Sequence, residues 1–261
     1  MRNKLTDELA VCGLNAIRAL SDVNPGKINR LFLREDRLPL FTKLCKSLAE
    51  RKRPYKLCEN DELEKICKTP HHQGIVAMIY DPVIETAAPE DIDKWAAGGK
   101  TGLLLYNIGN DHNLGAIVRS AAFFNASPVV LTEQESVEGE PKAKSLTTAA
   151  YRAAEGGMEY VEFLSVRRSE AFLKSASKEL FIIGADPRSR IRIRDIPQII
   201  KGQKTKTSGI VLVIGNEETG LSEEIKEQCS VLARIPGTGV IESLNAAQAA
   251  TLFLQELYER R

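Results

Sequence analysis

The chain has 261 residues, 43% of them hydrophobic and 27% charged, enough for two modest domains or one large one and unlike a disordered or collagen-like chain. Thirty-six Lys and Arg against 35 Asp and Glu leave a formal charge of +1, so a polyanionic partner must be met by local basic patches instead of a global field. No run approaches the roughly 18 apolar residues of a membrane span, and the opening MRNKLTDELAVCGLNAIRAL is too broken by charge for a signal-peptide core, which points to the cytoplasm.

In chain order, AVCGLNAIRAL, PLFTKLCKSLAE and ELEKIC have helical spacing, while INRLFL, PYKLC and GIVAMIY read as short strands. Residues 1–85 are therefore expected to form a small α/β domain. It carries 15 Lys and Arg against 12 Asp and Glu, with six of the basic residues and one Glu in the run KLCKSLAERKRPYK. Such a run is either a solvated helix face or a phosphate contact. Residues 86–100 have little apolar periodicity and two adjacent glycines after an acidic Pro-containing stretch, which reads as a linker.

From residue 101 the pattern alternates. TGLLLYN, SPVVLT, LFIIGAD, GIVLVIGN and VLARIP are strand-like, and LGAIVRSAAFF, SEAFLKSASKEL and SEEIKEQC between them are helical, predicting a mainly parallel sheet covered on both faces. Between Arg167 and Lys206 there are 11 Lys and Arg against 4 Asp and Glu, and Arg188, Arg190, Arg192 and Arg194 would share one face if that stretch were extended. A last helix, about Leu244 to Tyr258, has small residues at Ala246, Ala247, Ala249 and Ala250 and bulk at Leu252, Phe253, Leu254 and Leu257. That is more apolar surface than an exposed terminal helix needs, so an interface is expected there.

Cys12, Cys45, Cys58, Cys67 and Cys229 never form C-x-x-C, and reduced, mostly buried thiols are expected. No metal site is expected from three histidines, since adjacent His71 and His72 would point to opposite faces of a strand.

Ligands in open α/β sheets collect beyond the carboxyl ends of strands, and three loops qualify. The first is Asn107-Ile-Gly-Asn-Asp-His-Asn-Leu-Gly115 with Arg119 beyond it. The second is Gly215-Asn-Glu-Glu-Thr-Gly220, before Leu221 and a helix with Ser222 as its expected N-cap. The third is Pro236-Gly-Thr-Gly-Val-Ile-Glu-Ser-Leu-Asn245. Glycines beside a few polar side chains suit a nucleotide-like ligand held by main-chain groups. Each loop also has a plainer reading: Gly215 and Gly220 as turn residues, Arg119 as a surface arginine, Ser243 and Asn245 as helix caps. A dinucleotide fingerprint is absent, and Gly98-Gly99-Lys100-Thr101 is no phosphate loop, because it precedes a strand and has Lys94 where the leading glycine belongs.

The ordered set Asn113-Leu-Gly-Ala-Ile-Val-Arg119, Val213-Ile-Gly-Asn-Glu217-Glu-Thr-Gly220-Leu221 and Ile235-Pro-Gly-Thr-Gly-Val-Ile-Glu-Ser243-Leu-Asn245 resembles the three motifs of the SpoU/TrmH family of the SPOUT class, RNA ribose 2'-O-methyltransferases that use S-adenosylmethionine. The upstream part, ending His72-Gln73-Gly74-Ile-Val-Ala77, resembles the L30e-like RNA-recruiting domain attached to some members. The resemblance implies an α/β SPOUT domain at 101–261 with a C-terminal trefoil knot, preceded by a small L30e-like α/β domain at 1–85. It also implies a homodimer with ribosomal or transfer RNA as substrate. Arg119 would meet the hydroxyl and its phosphate. Asn113, Glu217, Ser243 and Asn245 would complete the catalytic site, and Gly215, Ile235, Ile241, Leu244 and Asn245 would hold the methyl donor. Gly237 and Ala246-Ala247-Gln248 depart from the common pattern, which leaves a weakly active or inactive RNA-binding protein as one alternative. A flavodoxin-like nucleotide-binding enzyme is another.

Overall fold

The computed structural model describes residues 2–3, 7–135, 141–142, 145–202 and 209–259. Its first elements are β1 (Arg2–Asn3), β2 (Glu8–Cys12), α1 (Leu14–Val23), β3 (Ile28–Leu33), α2 (Thr42–Glu50), β4 (Tyr55–Leu57), α3 (Asn60–Cys67), β5 (Ile75–Tyr80), β6 (Glu85–Thr86) and α4 (Pro89–Gly98). Then come β7 (Thr101–Leu105), α5 (Asp111–Phe123), β8 (Val129–Thr132), β9 (Gln134–Glu135), β10 (Pro141–Lys142), α6 (Thr148–Ala154), β11 (Phe163–Val166) and α7 (Ser169–Ala176). The rest are β12 (Leu180–Ala185), α8 (Ile196–Lys201), β13 (Gly209–Ile214), α9 (Glu223–Glu227), β14 (Val231–Ala233) and α10 (Ala246–Glu259). They fall into two compact units. The first comprises the chain up to Val83 with Leu114–Arg119 and Ser145–Tyr160; the second comprises Ile84–Asn113, Ser120–Lys144 and everything from Val161.

The first unit is built on a five-stranded sheet in the order β1-β2-β5-β3-β4, antiparallel except for the β3–β4 pair. Alternation along the strands sends Ala10, Cys12, Val76 and Met78 to one face, where they form a cluster with Cys58, Leu63 and Cys67. The segment Ala10-Val-Cys12, expected to open a helix, is the end of β2, and the helix starts beyond Gly13, whose φ of 105° breaks the strand. Four cysteines are buried and Cys229 is partly so. Burial pushes the Cys58 thiol up to about 11 and that of Cys229 up to about 12, so both stay protonated at neutral pH.

The second unit carries a seven-stranded sheet, β14-β12-β13-β7-β8-β11-β6, parallel throughout. Strands β7 and β13 are buried along their whole length, as expected for a sheet covered on both faces. Leu104, Val130, Ile182, Val211 and Val213 meet Leu173, Leu221 and Ile225 in one cluster.

Two expectations need correction. The stretch 86–100, read as a linker, holds α4: Asp91 accepts the Ala88 amide at 2.9 Å, Pro89 opens the helix, and Gly99 ends it at φ 60°. Ile92 and Trp95 are its buried anchors, and the indole N–H donates to the Lys100 carbonyl at 3.0 Å. Two anchors one turn apart are too few to register as periodicity. Likewise Arg188–Arg194 is no strand with a single arginine face. Asp186 accepts the Arg188 amide at 2.8 Å, Ser189 bonds the Leu232 carbonyl at 2.6 Å, and Asp195 accepts the Arg192 amide at 3.2 Å. Together with main-chain bonds from Ile193 to the Arg234 carbonyl at 2.8 Å and from Arg234 to the Ile191 carbonyl at 2.9 Å, these contacts hold the segment in turns, one isolated parallel bridge at Arg192 and a 3-10 helix at Ile193–Asp195. Lys204 and Lys206 of that basic stretch lie outside the described residues. Among the described residues no helix is long and apolar enough to cross a membrane, and no cluster of three His, Cys, Asp or Glu could hold a metal.

Candidate active site

All three glycine-bearing loops leave carboxyl ends of the parallel sheet. β7 and β13 are neighbours with Leu105 opposite Ile214, so the first two loops start side by side, while the third leaves β14, two strands from β13. The first two are laced together by main-chain contacts: the Tyr106 amide donates to the Ile214 carbonyl at 2.8 Å, and Asn216 Nδ2 donates to the Asn107 carbonyl at 3.1 Å. Asn107 sits at φ 55°, a conformation asparagine tolerates, with its amide bonded to the Thr132 hydroxyl at 3.0 Å. Asn110 is the N-cap of α5, its side-chain oxygen accepting the amides of His112 at 2.8 Å and Asn113 at 3.3 Å.

That cap fixes Asn113 in the first helical turn, where its side chain joins all three loops. Its Nδ2 donates to Glu217 Oε1, and its Oδ1 accepts Asn245 Nδ2 at 3.0 Å. An amide with a carboxylate at its nitrogen end and a donor at its oxygen end has one satisfied orientation. Asn245 also caps α10: its Oδ1 takes the Ala247 amide at 2.9 Å and its carbonyl takes the Ala249 amide at 2.9 Å. Capping and the contact to Asn113 use different atoms of one residue.

The second loop is a closed turn, with the Gly220 amide donating to the Asn216 carbonyl at 2.9 Å and Asn216 Oδ1 accepting the Glu218 amide at 2.9 Å. A Cβ on Gly215 would lie 2.6 Å from the Gly220 carbonyl carbon and oxygen, so the close approach requiring glycine there is to the protein's own backbone. Glu217 is thereby held outward and exposed. Ser222 occupies the N-cap position of α9 without a capping hydrogen bond from its hydroxyl. The Glu224 carboxyl is held below the usual range by its own main-chain amide and by the Ser222 hydroxyl.

In the third loop Ile235 is half-buried, Ser243 is exposed, and Ile241 and Leu244 are 78% and 46% exposed. Among the described residues no main-chain hydrogen bond within the chain engages 236–244, and Ser243 has no hydrogen-bond partner. Free amides beside uncovered aliphatic side chains fit a ligand with a flat apolar ring and polar edges, such as a purine nucleoside. Arg119 lies six residues beyond Asn113 on α5, about 9 Å further along the axis. It is exposed and has no carboxylate partner among the described residues.

Asn113, Glu217 and Asn245 are thus drawn into one network, and among the described residues neither Arg119 nor Ser243 has a side-chain hydrogen bond or ion pair. The positioning roles of Asn107, Asn110, Thr132 and Asn216 escape a motif-based reading, although the three asparagines stand in the loops that the sequence singles out. Asparagine just before a helix or at the head of a turn is the signal that could have found three of them.

Comparison with known proteins bears on this geometry. Residues 100–255 match the model of the SpoU rRNA Methylase family, and residues 10–82 match that of the RNA 2'-O ribose methyltransferase substrate binding domain. The chain is 29% identical over 259 residues to the 23S rRNA (guanosine-2'-O-)-methyltransferase RlmB of Acinetobacter baylyi, covering 95% of this chain and 96% of that one. Its fold is similar to that of the AdoMet-bound rRNA methyltransferase from Sinorhizobium meliloti, with TM-score 0.74, 22% identity and coverage of 98% of this chain and 88% of that one. It is also similar to that of the SpoU methyltransferase AviRb from Streptomyces viridochromogenes, solved with AdoMet, with TM-score 0.70, 22% identity and coverage of 97% and 90%.

Proposed function

The chain belongs to the SpoU rRNA methylase family, and on that premise we propose that it methylates a ribose 2'-hydroxyl of structured RNA, ribosomal RNA ahead of transfer RNA. The observation carrying this reading is the Asn113 amide, which ties the three motif loops to one point. S-adenosylmethionine supplies an electrophilic methyl group on its sulfonium. The amides of 237–244, with Ile235, Ile241 and Leu244 beside them and Gly215 at the end of β13, are the groups that would hold that donor.

A neutral ribose hydroxyl is a poor nucleophile, so the chain has to align it and stabilise charge as its proton leaves. Arg119 suits the second task because a guanidinium stays protonated: it would bind the adjoining phosphate and stabilise the developing alkoxide, while the hydroxyl proton passes to solvent water. Asn113, locked by Glu217 and Asn245, offers a fixed polar edge to the sugar, with Ser243 in support from the third loop. Residues 1–85 recruit the RNA and 101–261 catalyse. A homodimer, a trefoil knot in the catalytic part and a cytoplasmic location belong to this reading. Phe123, Leu252 and Tyr258, 81%, 39% and 49% exposed, supply apolar surface for a second copy.

The test is incorporation of labelled methyl from S-adenosylmethionine into deproteinised ribosomal RNA, followed by nuclease mapping of the ribose-methylated position. Arg119→Ala should lower kcat by about 100- to 1000-fold while leaving donor affinity within a few-fold. Equal loss of donor binding would refute the role given to Arg119, and donor and RNA binding without incorporation would point to an inactive RNA-binding protein.

A further inference from the structure

We infer that the outer edge of the first sheet, formed by α2 and β4, is a docking surface for an unpaired stretch of the substrate RNA. In it Tyr55 stacks on a base, and Lys43, Lys46, Arg51 and Lys52 meet the phosphates. This rests on the RNA reading above and adds the place and mode of recruitment.

Helix α2 turns Leu44, Cys45 and Leu48 inward, which leaves Lys43 and Lys46, one turn apart, exposed on its outer side. The chain then reverses sharply: the Arg51 amide bonds the Ser47 carbonyl at 3.2 Å, that of Lys52 bonds Ala49 at 3.0 Å, and that of Arg53 bonds Leu48 at 2.8 Å, with Lys52 at φ 56°. The turn sorts the three basic residues. Arg53 Nη1 donates to the Asn29 side-chain oxygen, while Arg51 and Lys52 stay exposed at the helix's negative end.

β4 follows as the last strand of the sheet, and all three of its residues are exposed. Tyr55 stands opposite Leu31, and Leu57 opposite Leu33, so both lie on one face, 44% and 45% exposed. Lys56 points to the other face and is paired with Glu62 at 2.6 Å. Pro54 and Lys56 already protect this edge strand, a task to which an uncovered tyrosine and leucine add nothing. An aromatic ring beside cations is instead the arrangement that binds single strands without sequence preference.

The charge on this edge is uncompensated. None of Lys43, Lys46, Arg51 and Lys52 has a carboxylate partner among the described residues, and Glu50 is the one acid between 43 and 57. The 570 Å³ concavity lined by Arg34, Glu35, Asp36, Cys58 and Glu59 is the opposite case, since Arg34 is held by Asp36 at 2.5 Å and two more carboxylates line it. A phosphate would be repelled there and attracted on α2.

The experiment uses the full-length chain, a fluorescent oligouridylate and a series of salt concentrations. Replacing the four cations together (K43Q, K46Q, R51Q, K52Q) should lower the slope of log affinity against log salt by about 3, since each phosphate contact on a single strand contributes about 0.7. Tyr55→Ala should weaken binding roughly ten-fold, and Tyr55→Phe should restore it. S-adenosylmethionine affinity and melting temperature, unchanged in all variants, exclude misfolding. Wild-type slope and affinity in the substituted chains would overturn the inference, as would loss of binding to anionic lipid vesicles with RNA binding intact. If those variants still methylate ribosomal RNA with unchanged KM, the surface is wrong and the methyltransferase reading stands; if the intact chain methylates no RNA, the earlier reading is the one that fails.

Discussion

The Asn113 side chain is held at both ends of its one amide. Glu217 accepts from the nitrogen end and Asn245 donates to the oxygen end, so a substitution at one end is felt by the loop on that side alone. Asn113→Asp is the sharpest probe. It keeps the acceptor facing Asn245 but sets a second carboxylate against Glu217, and like charges at hydrogen-bond range repel each other. We expect a loss of at least about 100-fold in kcat/KM near neutral pH, partly recovered in the double variant Asn113→Asp, Glu217→Gln, where the amide of residue 217 can donate to the new carboxylate. Additive losses in the double variant would show that the two residues act separately. The sequence motifs pointed to Asn113, Glu217 and Asn245, because their residue types and order are informative. That one amide joins the three loops depends on distances that no linear spacing contains.

At the scale of elements, the chain's alternation of apolar runs and helical stretches made the parallel sheet readable, and β7, β12, β13 and β14 lie where the strand-like runs predicted. What stayed hidden was set by contacts distant in sequence or by side-chain bonds to nearby backbone. Helix α4 is held by Ile92 and Trp95 against the sheet core, and the turns from Asp186 to Asp195 are held by side chains capping local amides, although Ile191 and Ile193 alternate with arginine as a strand would. The glycines divide in the same way. A Cβ on Gly215 would lie 2.6 Å from the backbone of Gly220, whereas one on Gly109 in the first loop would meet nothing within 4 Å. Gly215→Ala should therefore displace the turn that carries Glu217, costing about 1–3 kcal/mol by urea denaturation, with a larger loss of methyl transfer. Gly109→Ala should stay within about 0.5 kcal/mol of the parent. Equal stability of the two variants would mean that the turn yields freely and that Gly215 is glycine for the ligand's sake.

At the scale of the whole molecule, function was divided at about residue 85, yet the compact unit that contains the N-terminal sheet also takes in Leu114–Arg119 and Ser145–Tyr160. Within that unit the ties are specific. The Thr148 hydroxyl donates to the Ala10 carbonyl at 2.7 Å, and the Glu159 side chain, 1% exposed, accepts Asn24 Nδ2 at 2.6 Å and Lys27 Nζ at 2.9 Å. Ala19 packs so closely on Gly156 that a Cβ there would lie 2.8 Å from its methyl group. A fragment starting at residue 86 loses every one of these partners, and apolar residues such as Tyr151 and Met158, each 3% exposed in the intact chain, lose cover. Hydrogen bonds to a charged group are worth about 1.5–3 kcal/mol each, and for a chain of this size each kcal/mol shifts the melting temperature by roughly 2–4 °C. The fragment should melt at least about 5 °C below the intact protein, with the loss concentrated in 145–160 as faster amide exchange. Lost RNA binding in such a fragment would then reflect both missing recruitment and a loosened unit, which is why charge substitutions on α2 isolate recruitment better than truncation does. A fragment as stable as the whole chain, with 145–160 equally protected, would show that those contacts contribute nothing and that residue 85 is a true structural boundary.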